Sequence, residues 1–463
     1  MIILVLNCGS SSLKYQVLDM KSDTESQLIA KGLVERIGGP VGSITHRVTG
    51  KDKYVVEEPV PDHTAGIGRV LSLLTDPKLG AIKSLADIEA VGHRVAHGGE
   101  FFSQSVLVTP DVVGKIEQCC DLAPLHNPAN LLGIKAVENL MPGIPQAAVF
   151  DTSFHQTMPD YAYTYSIPYK FYDKYRIRRY GFHGTSHKYV AKKACEFAGL
   201  DINNSKIITC HLGNGSSITA VVNGKSVDTS MGFTPVEGVT MGTRCGNLDA
   251  GAIIYLQEKE GLDAQGINKI LNKESGLIGI SGLSSDCRDL MEAADKGDKG
   301  ALLAKKVLAY GIKKYIGAYA AAMNGVDMIV FTGGIGENAA PVREGVCRDM
   351  EYLGIEFGST RIKAVLTDEH GTVLFEKNAD LRVPMASTTK IMTAVVALEN
   401  CPADSVVTIP HDACGVEGSS VYLVGGEKLT MSELLYAMLL ESANDAATAI
   451  AIYDAILAEE RGN

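Results

Sequence analysis

Three times in this chain a short apolar run empties into a glycine-rich turn: "IILVLNCGSSS" at 2–12, "KIITCHLGNGSS" at 206–217 and "MIVFTGGIGEN" at 328–338. A short apolar run bounded by glycine predicts a buried strand, and the turn after it leaves backbone N–H groups free to meet an anion. After the first two turns apolar and polar residues alternate again ("SLKYQVLD", "SITAVVNG"), which predicts strand, loop, strand hairpins. The third is followed by "AAPVREGVCRDMEYLG", which predicts a helix, as does the helical spacing of "GALLAKKVLAYGIKKYIGAYAAAMNG". Strands and helices mixed in this way predict an α/β fold. The two hairpins, far apart in the chain, predict two related halves with a cleft between them.

Composition narrows what such a cleft can serve. The chain has 463 residues, 46% of them hydrophobic, and a formal charge of -11. An acidic protein of this kind lacks the basic face that nucleic acid or an anionic membrane requires, so an anionic substrate must be held by a few local basic residues. Ten cysteines occur without a CxxC pair, only Cys119 and Cys120 being adjacent, which predicts neither a zinc site nor a disulfide framework. Reduced thiols, an N-terminus without a cationic lead and the lack of an uninterrupted spanning stretch predict a cytoplasmic protein.

Chemistry concentrates in a few glycine-rich segments. "NCGSSSLK" and "HLGNGSS" offer N–H groups and hydroxyls to phosphate oxygens, with Lys14 adding charge. Either alone reads as readily as an ordinary tight hairpin; together with "FTGGIGEN" they point to a nucleotide. Arg94 in "GHRVAHGGE" and Arg244 in "MGTRCGNLD" lie beside glycines, which let backbone crowd a ligand and present a guanidinium to it. Such arginines suit phosphoryl transfer, where positioning and charge neutralisation are the protein's main work, although surface salt bridges are the plainer alternative. His93 with His97 and His183 with His187 have the spacing of helix-borne zinc ligands, but glycines follow or interrupt both, so metal ligation is not expected. Asp151, ending the run "AVFD", reads as a carboxylate that orients a nucleophile or holds a hydrated Mg2+, and equally as a helix cap.

Taken in order, "LNCGSSSLKY", "GHRVAHGGE", "PLHNP", "VFDTSFH", "YGFHGTSH", "HLGNGSS", "MGTRCGNLD" and "FTGGIGEN" resemble the acetate kinase family from Met1 to about Gly354. The resemblance implies two duplicated α/β halves of the acetate and sugar kinase, Hsc70 and actin superfamily, divided as 1–150 and 151–355. It also implies reversible transfer of the γ-phosphoryl group of ATP to acetate with Mg2+, in a homodimer. By motif, Asn7 would help hold Mg2+, Lys14 would contact ATP phosphate and Arg94 would bind the acyl substrate. Asp151 matches the catalytic aspartate, His183 and Arg244 the transition-state stabilisers, and His126 a supporting group. ATP would lie against His211, Leu212, Gly213, Asn214 and Gly215, against Asp286, Cys287 and Arg288, and against Gly334, Ile335, Gly336, Glu337 and Asn338. The acyl methyl would meet Ala96, Leu125, Phe182 and Pro235; Ala96 stands where the family often has valine, which implies room for propionate.

After residue 355 the character changes. "GIEFGSTRIKAVLTDEHG" at 354–371 echoes the first loop, with Gly358, Ser359, Lys363 and Asp368 falling on Gly9, Ser10, Lys14 and Asp19, and sugar kinases often begin with a similar stretch. The glutamate-bearing segment and closing helix of an acetate kinase are not recognisable here. Instead, 356–463 resembles a fragment of the serine D-Ala-D-Ala carboxypeptidases, with Ser387 and Lys390 as SxxK and Ser442 and Asn444 as SxN. No KTG strand follows before Asn463, so no peptidase activity is expected of Ser387. Thr430 is expected to cap a helix beginning at "MSELL", and whether a carboxylate such as Glu356, Asp368 or Glu369 reaches the Asn7 and Asp151 region is the question the tail poses.

Overall fold

A computed structural model describes residues 1–22, 25–350, 353, 397, 401–416, 420–440 and 443–460. They fall into two compact units, the first holding residues 1–346 and the second the described residues from 347 onward.

The first unit grows from the predicted hairpin. Strands β1 (Ile2–Cys8) and β2 (Ser12–Met20) pair antiparallel, and the Gly9 N–H donates to Ser12 O at 2.7 Å to close the turn. Alternation sends Leu4, Leu6, Cys8, Leu13, Tyr15 and Val17 to one buried face. Further strands β3 (Ser26–Glu35), β4 (Gly42–Val48) and β5 (Tyr54–Glu58) extend the sheet beyond β2. On the other side of β1 lie β6 (Ile88–Val95), β7 (Val106–Leu107) and β8 (Gln146–Phe150), giving the order β5-β4-β3-β2-β1-β6-β8-β7. The apolar face is covered by α1 (His63–Leu74) and α3 (Asn127–Leu140), which bring Ile67, Val70, Leu74, Ala136 and Val137 into the core; α2 (Pro110–Gln118) lies between them in the chain.

The second predicted hairpin nucleates a second sheet. Strands β9 (Lys206–Leu212), β10 (Ser216–Val222) and β11 (Lys225–Thr229) run as an antiparallel meander, and β12 (Met328–Thr332) pairs parallel with β9. The local order β11-β10-β9-β12 repeats β3-β2-β1-β6, two antiparallel pairs and one parallel pair, so the two halves share one plan. Helix α4 (Gly184–Ala198) packs Val190, Ala191, Ala194 and Cys195 against Ile207, Val221, Met328 and Val330. Following in the chain are α5 (Cys287–Asp295), the long α6 (Lys299–Ala322), the short α7 (Gly333–Asn338) and α8 (Ala340–Cys347).

In the second unit β13 (Val406–Thr408) pairs with β14 (Lys428–Thr430), and α9 (Met431–Leu440) and α10 (Asn444–Glu460) supply Leu434, Met438, Ala446 and Ile450 to its own apolar cluster. Thr430 caps α9 as expected. Its hydroxyl accepts from Glu433 N–H at 3.2 Å, while the Glu433 carboxylate accepts from Thr430 N–H at 2.7 Å, a reciprocal capping box. Ser387, Lys390, Ser442 and the three candidate carboxylates Glu356, Asp368 and Glu369 lie outside the described residues.

One glycine sets the spacing of the first sheet. At Gly32 on β3 a Cβ would stand 2.3 Å from Thr45 O and 2.4 Å from the Tyr15 ring, whose hydroxyl bonds to His46 Nδ1. Overpacking of this kind costs about 1–3 kcal/mol or more. Gly32→Ala is therefore expected to lower the urea midpoint of the first unit, and an unchanged midpoint would show that the sheet can part there without penalty.

Candidate active site

The parallel register places β1, β6 and β8 side by side, with their C-terminal ends at one edge of the sheet. Asn7, Arg94 and Asp151 sit at that edge. Arg94 donates through Nη2 (2.5 Å) and Nε (3.2 Å) to the same Asp151 carboxylate oxygen, and its Nη1 lies 3.5 Å from Asn7 Oδ1. Asp151 is buried, and the pairing raises the Arg94 pKa still further from the titration range. The backbone carbonyl of Asp151 accepts from Gly184 N–H at 2.9 Å, which docks the N-terminus of α4 onto the end of β8. Only glycine fits there, because a Cβ at 184 would stand 2.2 Å from that oxygen.

His183, just before α4, holds a left-handed backbone (φ 58), uncommon for a residue with a side chain and typical of sites where surrounding contacts impose the conformation. Its Nδ1 shares a hydrogen bond with Ser217 Oγ (2.8 Å), and its ring lies 4.3 Å from the His211 ring, centre to centre. Around it are His187, bonded to Ser217 Oγ and Thr209 Oγ1 (both 2.7 Å), and His155, bonded to Ser226 Oγ (2.8 Å) and to the carbonyl of Phe182 (3.0 Å). His211 is held by Ser186 at 2.8 Å. Burial pulls His155 and His211 down to about 4, and burial plus the neighbouring histidines, with Arg94 and Arg244 adding to it at His183, pushes His183 and His187 well below the usual range. The cluster is therefore neutral at physiological pH.

Arg244 has no carboxylate partner among the described residues. Its Nη1 reaches only Pro235 O (3.4 Å) and Met241 Sδ (4.0 Å), and burial lowers its pKa. The turn that carries it is tied to the β9–β10 loop by Gly242 N–H donating to Asn214 O at 3.0 Å. In that loop, a Cβ at Gly215 would lie 3.3 Å from Arg244 Nη1 and 3.7 Å from His183 Nε2. Both donors thus face one small space that exists because residue 215 has no side chain. His126, half-buried at the start of α3, has its pKa lowered by burial and then by Arg94 and Arg244, which places it in the same neighbourhood.

Of the four expected acyl-pocket residues, Ala96 and Phe182 are buried, Phe182 against Met231 and Met241, and Pro235 is half-buried. Leu125 is not part of that group: it is 63% exposed, so its side chain adds no buried apolar wall.

A cavity of about 940 Å³ lies beside this cluster, in the size range of small-molecule sites. Gly213, Asn214, Asp286, Cys287, Arg288, Gly334, Ile335 and Asn338 line it. The other expected nucleotide residues face elsewhere: Leu212 is buried in β9, His211 belongs to the histidine cluster, Gly336 packs near Phe331, and Glu337 turns back to accept from Gly333 N–H (3.1 Å). Asp286 caps α5, and the adjoining Arg288 guanidinium holds its carboxyl at about 2. Met291, Glu292 and Asp295 also line the cavity and escaped the sequence reading. Their spacing from Arg288 is that of one helix face, a signal that could have found them.

Lys14 lies opposite Asn7 in the β1–β2 register and lines a separate cavity of about 530 Å³ with Lys31, Arg47 and Lys53. Neither histidine pair is arranged for a metal. His93 bonds Gln146 Oε1 at 2.8 Å, His97 Nδ1 accepts from Gly99 N–H at 3.0 Å, and no group of three or more metal-ligating side chains occurs among the described residues. No helix of the described residues is long and apolar enough to cross a membrane.

Comparison with known proteins covers both parts of the chain. The profile of the acetokinase family matches residues 2–394, and that of the D-alanyl-D-alanine carboxypeptidase family (peptidase S11) matches 360–456, so the two overlap over 360–394. The acetate kinase of Thermoanaerobacter pseudethanolicus is 59% identical over 362 residues, 78% of this chain and 90% of its own. Among solved structures, acetate kinase from Porphyromonas gingivalis superimposes with a TM-score of 0.75 at 53% identity, covering 77% of this chain and 89% of its own. A propionate kinase from Francisella tularensis does so at 0.71 and 43% identity, with 76% and 88% covered.

Two outcomes follow from this geometry. Gly184→Ala is expected to displace α4 from Asp151 and to lower the thermal midpoint of the first unit, measured by calorimetry; an unchanged midpoint would mean the docking carries little. The second concerns pH. His93, His155 and His211 are held at about 4 in the folded chain but titrate near 6.5 when unfolded, so the unfolded state binds more protons between those values. Their stabilisation is complete above about pH 6.5 and is lost as pH falls toward about 4. Urea midpoints should fall steadily across that window, and a flat profile would contradict a buried neutral cluster.

Proposed function

This chain belongs to the acetokinase family, and we propose that its cleft transfers the γ-phosphoryl group of ATP to the carboxylate of acetate, giving acetyl phosphate and ADP, reversibly. The observation that carries this reading is the meeting of Arg244 and His183 over Gly215, with Arg94 near enough to act on His183, next to a nucleotide-sized cavity.

Acetate is anionic at neutral pH, so the nucleophile needs no general base. The protein's task is to bring two anions together and to neutralise the charge on the transferring group. Asp151 occupies the Nε and Nη2 edge of Arg94 and leaves Nη1 to meet the substrate carboxylate. Ala96 and Phe182 offer the methyl group an apolar wall. Arg244 Nη1 and the Nε2 edge of His183 then flank the equatorial oxygens of the phosphoryl group above Gly215. One acetate oxygen forms a bond to phosphorus as the bond to the β,γ-bridging oxygen breaks, and ADP leaves with that electron pair.

The amide oxygen of Asn7 and the second carboxylate oxygen of Asp151 fit a hydrated Mg2+ shared with ATP phosphate rather than a protein cage. When bound, the ion neutralises phosphate charge. Where the family's closing carboxylate is not supplied, one lost preorganised group costs about 2.7–4 kcal/mol and turnover falls accordingly. Propionate is a second acceptor in this reading, supported by the small Ala96. The working form is a cytoplasmic homodimer.

Trapping acetyl phosphate with hydroxylamine in the presence of ATP, acetate and Mg2+ tests the proposal, and no product at saturating Mg2+ would sink it. Arg244→Ala is expected to lower kcat about 10²- to 10³-fold. Ala96→Val should lower the preference for propionate over acetate by about tenfold, the scale set by a methylene in an apolar pocket. Ser387 is expected to take no label from a fluorescent penicillin, and stable labelling would show that the carboxypeptidase-like segment is acylated and overturn that expectation.

A further inference from the structure

Behind His183 a chain of hydrogen bonds runs inward through Ser217, His187 and Thr209, with successive distances of 2.8, 2.7 and 2.7 Å. Ser217, His187 and Thr209 are fully buried, so water cannot complete their bonding. Ser217 Oγ has only the two imidazole nitrogens as partners among the described residues, and Thr209 Oγ1 has only His187 Nδ1.

A hydroxyl carries one proton, and a neutral imidazole carries one N–H and one lone pair. If Ser217 accepted from both imidazoles its own proton would be stranded, so it donates to one and accepts from the other, in one of two proton orders. In the first, His183 Nδ1–H donates to Ser217, Ser217 donates to His187 Nε2, and His187 Nδ1–H donates to Thr209. The Thr209 proton is then left without an acceptor in a dry interior, a cost of about 1–3 kcal/mol. In the second, Thr209 donates to His187 Nδ1, His187 Nε2–H donates to Ser217, and Ser217 donates to His183 Nδ1. Every proton is then used, and the remaining N–H of His183 is on Nε2, the edge that faces the space above Gly215.

We infer that the Thr209, His187, Ser217 chain fixes His183 as its Nε2–H tautomer, so that the cleft is presented with a neutral donor rather than a lone pair. Thr209, His187 and Ser217 are then positioning residues that act through His183. Protonating His183 makes its Nδ1 a donor to Ser217 and strands one hydroxyl proton, on Thr209 or on Ser217, so the same chain holds the imidazole neutral beside Arg94 and Arg244. The inference rests on the proposed phosphoryl transfer only for its use: a donor at Nε2 meets an anionic transferring group, whereas a lone pair would repel it. The sequence motifs do not announce the chain: Thr209 sits within a strand-forming run, and Ser217, in "HLGNGSS", bonds two buried histidines instead of standing free for a phosphate.

The test is long-range ¹H–¹⁵N spectroscopy of the full chain labelled at histidine nitrogen, with the His183 signals assigned by their loss in His183→Gln. A protonated Nε2 and an unprotonated Nδ1 are expected in the unaltered protein; the opposite pattern would overturn the inference, and this reading requires no variant beyond the assignment. Thr209→Val, nearly the same shape without the donor, should move both nitrogen signals toward the other tautomer, and Thr209→Ser should restore them. Signals unmoved by Thr209→Val would also overturn it. In the acetyl phosphate assay Thr209→Val is expected to lower kcat about tenfold, the size of one neutral hydrogen bond in the transition state, with KM for ATP and acetate unmoved and Thr209→Ser close to the parent. If the Nε2–H tautomer is found but the parent chain makes no acetyl phosphate, the proposed reaction fails and the proton order stands.

Discussion

The ion pair between Arg94 and Asp151 is the interaction on which the cleft depends. A carboxylate this deeply buried is costly unless a well-aligned cation and further hydrogen bonds complete it, and here one carboxylate oxygen receives two N–H bonds from a single guanidinium. The same residue serves the second half of the kinase-like unit through its backbone, since the Asp151 carbonyl accepts the Gly184 N–H that begins α4. Position thus passes from β6 to β8, from β8 to α4, and from the start of α4 to His183. Replacing the Asp151 side chain would leave the Arg94 guanidinium without its carboxylate, while the carbonyl that anchors α4 would remain.

The electrostatics of the cleft are unbalanced by construction. In a protein with a net charge of -11, Arg244 is left with a weak carbonyl contact and no carboxylate partner among the described residues, while the imidazoles around it are kept neutral by burial. Neutral imidazoles add donors without adding to the positive charge that Arg94 and Arg244 already concentrate. A bound anion completes such a site. This explains why an acidic chain can serve two anionic substrates without a broad basic surface.

Much of this architecture could be read from the chain because strands and glycines write clear signals. The runs that became β1, β9 and β12 end where glycine interrupts them, and the two hairpins proved to be the cores of two sheets with one local order. Arg94 and Arg244 stood out by their glycine neighbours, and both act electrostatically on His183 and His126. That Arg94 is held by Asp151 was not, since the pair spans 57 residues and arises only from the parallel register of β6 with β8. Glu337 and Leu125 show the converse: each stands in a recognisable motif, yet one side chain folds back onto its own helix start and the other points outward, choices made by local bonding and packing. Beyond residue 355 the sequence carried two resemblances at once, and the overlap of two family matches over 360–394 is the physical form of that ambiguity.

The two halves use the same hairpin for different ends. In the first, the buried face of β1 and β2 is apolar, and Asn7 and Lys14 stand opposite each other near the strand ends, where they line a second cavity. In the second, the corresponding pair of strands buries Thr209, Ser217 and Thr219, with His211 on the same face. Polar groups on a buried face are tolerated only when each finds a partner, and an incomplete network is worse than an apolar core. The Thr219 hydroxyl finds Thr229 on β11 (2.8 Å), and those of Thr209 and Ser217 meet that condition because α4, docked on the Asp151 carbonyl, sets His187 between them, within 2.7 Å of each. The cost of burying Thr209 and Ser217 is thus offset only when α4 is in place, so the polar interior of the second sheet and the orientation of His183 are secured by the same contacts.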